Sequence, residues 1–283
     1  MKKYSLPLIL LFLTFGCNKS PENNPEEYTS LPAQNSLNIS YGNDAQQIMD
    51  IYLPAGRNVN TKVIILVHGG GWSGGSKTDF DYFVPTLKAE FPSHAIVNMN
   101  YRLATASSPG FPKQIQDIEK LVQHLKASDY SISSDYAFIG ASAGAHLSML
   151  YAYHYDPDDD VKAVCSIVGP TDFTDPSYTG NPLYEYGLTA LVGNVTFQSN
   201  PEIFIEVSPR THVTAYSPPT IMFHGGQDPL IPATQGPRLK EKLDEFNVYN
   251  ELYIYPNGGH GNWDAVTMAD FSTKLIAFLQ AKF

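Results

Sequence analysis

Short, almost continuous apolar runs recur along the chain, and most are closed by glycine or asparagine: KVIILVHGG, HAIVNMNYR, DYAFIGAS, VKAVCSIVG, PTIMFHGG and NELYIYPNG. A strand with one wet face alternates apolar and polar residues. Runs that lack this alternation fit strands covered on both faces. Helix-patterned stretches lie between them. The clearest sets Ile115, Ile118, Leu121, Val122 and Leu125 at helical spacing behind Pro112, and others cover 144–154, 234–246 and 264–282. QQIMDIYLP shows period-2 character and reads as an edge strand. The pattern specifies an α/β domain with a mostly parallel central sheet and helices on both faces. Ligands bind such sheets at the carboxyl ends of the strands. The stretch 172–200 breaks the rhythm with Tyr178, Tyr184, Tyr186, Pro176 and Pro182, and is expected to form a small cap inserted over those ends.

The 283 residues, 43% hydrophobic and 16% charged, suffice for one large domain. A net charge of −10, with no basic cluster beyond Lys2-Lys3, argues against a nucleic-acid partner. At the N-terminus, MKKYSLPLILLFLTFGC joins a basic start to an apolar stretch over 6–15. At about 1.5 Å per residue that stretch is too short for a bilayer of about 30 Å, so residues 1–17 read as a secretory signal. Gly16-Cys17 resembles a bacterial lipoprotein cleavage site, although Thr14 stands where Leu is usual. Cys17 is therefore expected to carry a lipid, with the protein exported and membrane-bound through that anchor alone. Residues 18–36, rich in Pro, Asn, Glu and Ser, read as a flexible tether, which leaves 37–283 as the folded domain. Cys165 lies in an apolar run and reads as a core residue.

Gly69, Gly71 and Gly74 satisfy G-x-G-x-x-G after a strand, the spacing of a dinucleotide site. That reading needs an acidic residue at the end of the next strand. The next run ends instead in Asn100-Tyr101-Arg102. A phosphate-binding Gly-Lys-Ser/Thr also fails, because Ser76 separates Gly75 from Lys77. Consecutive glycines serve other chemistry equally well: their freed N–H groups can converge on one oxygen that becomes negative during a reaction.

Gly140-Ala141-Ser142-Ala143-Gly144 follows a strand pattern and opens a helix pattern. Such a tight turn excludes side chains at its flanking glycines and lifts the serine hydroxyl above the sheet, at a helix N-terminus. A serine hydroxyl needs a base to become a nucleophile, and the base needs an acid to orient it. His94, His124 and His154 read as solvated, His146 as packing or bonding locally, and His68 as part of the glycine loop. His212 and His224 precede the best acid. His260, in the loop YPNGGHGNW before the last helix, is the histidine that follows Asp228 in the chain, and is taken as the base. Asp228, just beyond an apolar run, is preferred as the acid, with Asp172 as its rival. No metal-ligand spacing is visible and no cofactor is called for.

HGGGW, NYRL, GASAGAH, GPTD, HGGQDPLIP and GGHG, in that order, resemble the α/β-hydrolase superfamily. Within it they are most similar to the branch of carboxylesterases, acetyl-xylan and feruloyl-type esterases and arylformamidases. The resemblance covers about 45–283 and implies a serine esterase acting through an acyl-enzyme. It implies that the N–H groups of Gly70, Gly71 and Ala143 hold the oxyanion. Trp72 stands where a related branch has Phe, and Ala141 where that branch has Asp, so the substrate is less defined than the chemistry. Trp72, Tyr101 and Tyr184 are expected to line the acyl pocket. A small cap favours short-chain or aromatic acyl esters, and an exported esterase suggests deacylation of polysaccharide. An amide hydrolase using the same side chains is the alternative, followed by a binding module without catalysis.

Overall fold

The strands are β1 (Gln34–Ser40), β2 (Ile48–Leu53), β3 (Val63–Val67), β4 (Ala95–Met99), β5 (Tyr136–Ala141), β6 (Val161–Ile167), β7 (Thr220–Gly225) and β8 (Asn250–Tyr255). The computed structural model describes Met1 and residues 30–179 and 181–283. The expected signal, Cys17 and the first part of the expected tether lie outside the described residues. The chain divides into two units, Met1–Ser30 and Leu31–Phe283, and every strand belongs to the second.

These strands form one sheet in the order β1-β2-β4-β3-β5-β6-β7-β8. β1–β2 and β2–β4 pair antiparallel, and the pairs from β4–β3 through to β7–β8 are parallel. Two readings from sequence are thereby corrected. The edge is β1 and not QQIMDIYLP, whose strand β2 is covered on both sides. Gln34, Asn35 and Ser36, read as tether, already belong to β1. The reason is physical: β1 is exposed at most positions, so it carries no apolar signal to read.

The helices are α1 (Val84–Glu90), α2 (Lys113–Ala127), α3 (Ala143–Leu150), α4 (Pro182–Val192), α5 (Pro201–Glu206), α6 (Gln235–Glu245) and α7 (Ala265–Lys282). Successive strand side chains point to opposite faces. Val63, Ile65 and Val67 of β3 accordingly pack with residues of α2, α3 and α6, whereas Ile64 and Leu66 pack with residues of α1 and α7. All five are fully buried. At about 1.5–3 kcal/mol for each such side chain, this strand holds the two layers together. The stretch between β6 and β7 contains α4, α5 and a 3-10 turn at Pro209–His212, so the insertion expected at 172–200 runs further along the chain.

α2 is tied to the sheet by a carboxylate as well as by its apolar face. Asp117 is fully buried and accepts from the N–H and guanidinium of Arg102 and from the amide of Gln47, at 2.6–3.0 Å. Removing one partner of such a group leaves the others buried and unpaired, which costs about 3 kcal/mol or more. Asp117→Ala is expected to lower the melting temperature by roughly 5–10 °C. Calorimetry checks this, and a shift below about one degree would show that the network adds little.

Candidate active site

Ser142 sits between β5 and α3 with φ 51° and ψ −117°, a backbone conformation that L-residues avoid. The surroundings hold it there. Its N–H donates to Ile167 O at 2.7 Å, which ties it to the end of β6. A Cβ on Gly144 would stand 2.1 Å from Val67 O and 2.3 Å from His68 O, and one on Gly140 would stand 2.4 Å from Gly144 O. Only glycine lets α3 start this close to the ends of β3 and β5. The hydroxyl is thus presented at the carboxyl ends of the parallel strands, where the sheet topology places a ligand.

The loop after β3 lies against this turn. Gly70 adopts φ 110° and its carbonyl accepts from the N–H groups of Ser73 and Gly74, closing a tight turn. Among the described residues, the N–H groups of Gly70, Gly71 and Ala143 have no hydrogen-bond partner. Ala143 begins α3, where the first N–H groups lack intrahelical acceptors.

From the opposite side come the loops after β7 and β8, joined by Gly226 N–H to Tyr255 O and Gln227 N–H to Gly258 O. His260 Nε2 is 2.9 Å from Ser142 Oγ, and its Nδ1 is 2.8 Å from Asp228 Oδ2. A carboxylate can only accept, so Nδ1 carries the hydrogen and Nε2 presents its lone pair to the hydroxyl. The other Asp228 oxygen accepts from the N–H groups of Leu230 and Ile231 at 2.8 and 3.0 Å. Burial alone would raise the Asp228 carboxyl. The bond from His260 and the two N–H groups outweigh that and hold it below the usual range, so it stays ionised at neutral pH. Asp172, the rival acid, is fully buried and committed elsewhere: it accepts from the Arg238 guanidinium at 2.6 and 2.8 Å.

A cavity of about 480 Å³ opens beside Ser142 and His260 and includes Gly69, Gly70 and Gly71. Its walls come from Phe80 and Tyr82 after the glycine loop, Val168 after β6, Leu230 beside Asp228, and Trp263 and Met268 after His260. The expected pocket aromatics are not among them. Trp72 is 6% exposed and Tyr101 1%. The Tyr101 hydroxyl donates to His68 O at 2.8 Å, and its ring stacks on His68 at 4.2 Å. Tyr184 is half-buried against the Tyr178 ring. Buried Trp and Tyr turn their polar tips toward partners, and here the partners lie in the protein. Trp263 was overlooked although it stands three residues after His260; its Nε1 donates to Gly259 O and props the loop.

His146, read from sequence as packing or bonding locally, instead bonds groups distant in the chain. It is fully buried on α3, one turn beyond Ser142. Its Nε2 donates to Val207 O at 2.7 Å, and its Nδ1 accepts from Trp72 Nε1 at 3.1 Å. The residue next to Gly71 is thereby tied through His146 to the segment after α5.

Comparison with known proteins agrees with this architecture. The family model BD-FAE matches residues 49–243, more than half of the chain. The chain belongs to the BD-FAE family. The match runs from β2 into α6 and stops before the loop that carries His260. This BD-FAE chain is 30% identical over 241 residues to Esterase LipC of Mycobacterium tuberculosis, which covers 79% of this chain and 59% of LipC. A kynurenine formamidase of Salmo salar is 28% identical over 124 residues, 42% of this chain and 38% of that protein. The chain spans 47–59% of the length of the three mycobacterial relatives it matches. Among solved structures, a truncated carbohydrate esterase from gut microbiota shares the fold with a TM-score of 0.72 at 24% identity, over 89% of this chain and 99% of that one. A bacterial heroin esterase does so with a TM-score of 0.68 at 21% identity, over 89% and 84%. The fold is that of the α/β-hydrolases.

Two predictions follow from the buried groups. Trp72→Phe keeps the ring but removes the bond to His146, so the glycine loop loses its brace; kcat is expected to fall roughly tenfold with KM little changed. Steady-state kinetics with an ester substrate check this, and an unchanged kcat would remove Trp72 from any positioning role. Burial holds both His146 and His224 down at about 4, whereas free imidazoles charge near 6.5. Between these values the unfolded chain binds more protons, so stability falls as pH drops from about 6.5 toward 4. Each group contributes on the order of 1 kcal/mol per pH unit. The urea midpoint should be flat above pH 7 and fall below about 6.5; a midpoint that is flat down to pH 5 would contradict this.

Proposed function

We propose that this BD-FAE protein is a serine carboxylic-ester hydrolase that works through an acyl-enzyme. One observation carries the reading: a single imidazole joins the Ser142 hydroxyl to the Asp228 carboxylate, at 2.9 and 2.8 Å, beside three N–H groups that have no partner among the described residues. His260 takes the proton as Ser142 Oγ attacks the ester carbonyl. Asp228 holds the imidazole in the required tautomer and stabilises the imidazolium. The carbonyl oxygen, now negative, sits on the N–H groups of Gly70, Gly71 and Ala143, each worth about 3–4 kcal/mol in the transition state. The bond to the alcohol breaks, and His260 gives the alcohol its proton. Water then enters, gives a proton to His260 and attacks the acyl carbon, and the acid leaves as Ser142 regains its proton.

The cavity supports a short or aromatic acyl group. Its volume is that of a small-molecule site, and Tyr82 and Trp263 offer flat apolar walls. Relatives called esterase and carboxylic ester hydrolase support the reaction, and a neighbour described as a carbohydrate esterase supports an acylated saccharide as substrate. The likeness to kynurenine formamidases favours a second reading, hydrolysis of an N-acyl bond at the same serine.

A panel of nitrophenyl esters of rising chain length, acetylated xylan, methyl ferulate and matched anilides separates these readings. The expected result is highest kcat/KM for acetyl to butyryl or aromatic acyl esters, with slower anilides. Ser142→Ala should lower kcat by roughly four to six orders of magnitude. Undiminished turnover in that variant would overturn the mechanism, and anilides faster than esters would favour the second reading.

A further inference from the structure

A second set of chemistry-bearing side chains is assembled at the other end of the helix that Ser142 opens. α3 continues beyond Leu150 as one wide turn of π type, Tyr151–Tyr155. The 3-10 turn Pro209–His212, which follows α5, packs against it. His154, Glu206 and His212 each bring one ligand atom within 4.8 Å of the others. The rings of His154 and His212 stack with centroids 3.9 Å apart and planes 21° apart, and His154 Nε2 is 3.7 Å from Glu206 Oε1. No spacing along the chain announces this, because the three residues lie on separate elements. His154 is also held against its neighbours where a merely solvated side chain was expected. By the rise of a helix, His154 stands roughly 15–18 Å from Ser142.

The way these groups are held distinguishes them from an incidental surface pair. His212 Nε2 lies 2.8 Å from the Glu206 main-chain oxygen, and a carbonyl can only accept. That nitrogen therefore carries the hydrogen, and Nδ1 of the neutral ring keeps a lone pair. An N–H donated to a backbone carbonyl is the usual outer support of a metal-binding imidazole. The Glu206 carboxylate is supported in the same way, accepting from the Tyr155 hydroxyl at 2.6 Å.

We propose that His154, Glu206 and His212 form a binding site for a divalent transition ion of the zinc type, separate from the ester-cleaving site. Two imidazole nitrogens and one carboxylate oxygen suit zinc, with a water as the fourth ligand, and are too few oxygens for calcium or magnesium. Zinc–nitrogen bonds of about 2.0–2.1 Å place two such nitrogens roughly 3.3 Å apart. The rings must therefore draw in and splay further than they now do. His154 and Glu206 are 40% and 42% exposed and have room to turn. Coordination would clamp the turn after α3 to the end of α5. Val207, the next residue, accepts from His146, which in turn holds Trp72. The ion would then brace the same segment that props the glycine loop.

Calorimetric titration of the untagged, chelator-treated protein with zinc chloride tests this. One equivalent should bind with Kd below about 100 µM, raise the melting temperature by several degrees, and be lost at least tenfold in His154→Gln and Glu206→Gln. Tyr155→Phe should weaken binding by about tenfold. Cobalt in place of zinc should give the visible absorption of a four-coordinate site in the wild type and not in His154→Gln. His154 is exposed, so that variant is expected to fold normally, as circular dichroism would verify. Binding weaker than about 100 µM, or equal in wild type and His154→Gln, would overturn the site and leave only an ion pair.

Discussion

Where β5 turns into α3, the Ser142 backbone is held in a conformation that costs on the order of 1–3 kcal/mol. The cost is met by what surrounds it: the carbonyls of Val67 and His68 lie so close to Gly144 that α3 has one position available, and Ile167 O fixes the Ser142 N–H. Those contacts come from β3 and β6, the strands on either side of β5. The position of one hydroxyl is thereby set by the register of the central sheet, and every other element of the site is placed relative to it.

Around that hydroxyl the polar groups are arranged by what each can donate or accept. The Asp228 carboxylate is enclosed yet ionised, because its oxygens receive one imidazole and two main-chain N–H groups. His260 is held in a single tautomer by that carboxylate. The glycine loop contributes N–H groups for which no acceptor among the described residues competes. Its conformation rests on two buried props, Tyr101 under His68 and Trp72 against His146. Neither aromatic ring reaches the cavity, and both act by fixing the backbone that does.

Much of this was legible in the sequence. The runs that became β3 to β7 were readable because burial on both faces removes polar alternation, whereas NELYIYPNG became β8, a partly exposed strand at the other edge of the sheet; α2, α6 and α7 were readable from their helical patterns. Ser142, His260 and Asp228 could be singled out by chain order and by their places after apolar runs. β1 escaped because its side chains are mostly exposed, so nothing apolar marks it. α1 escaped because it is short, with only Val84 and Leu87 buried. The pocket walls were misjudged because composition does not say where an aromatic ring points: Trp72 and Tyr101 turn inward to hydrogen-bond partners, while Tyr82 and Trp263 face the cavity. The His154, Glu206 and His212 cluster was invisible for a related reason, since it forms only when α3 and α5 are packed.

The proposed reaction requires that His260 make Ser142 nucleophilic. Reaction with a fluorophosphonate, followed by peptide mass spectrometry, reads that property without choosing a substrate. The expected result is one adduct, on the peptide containing Ser142, formed in the wild type and absent in His260→Ala, with circular dichroism showing both proteins folded. A folded wild type that takes up no label, or takes it up at another residue, would contradict it.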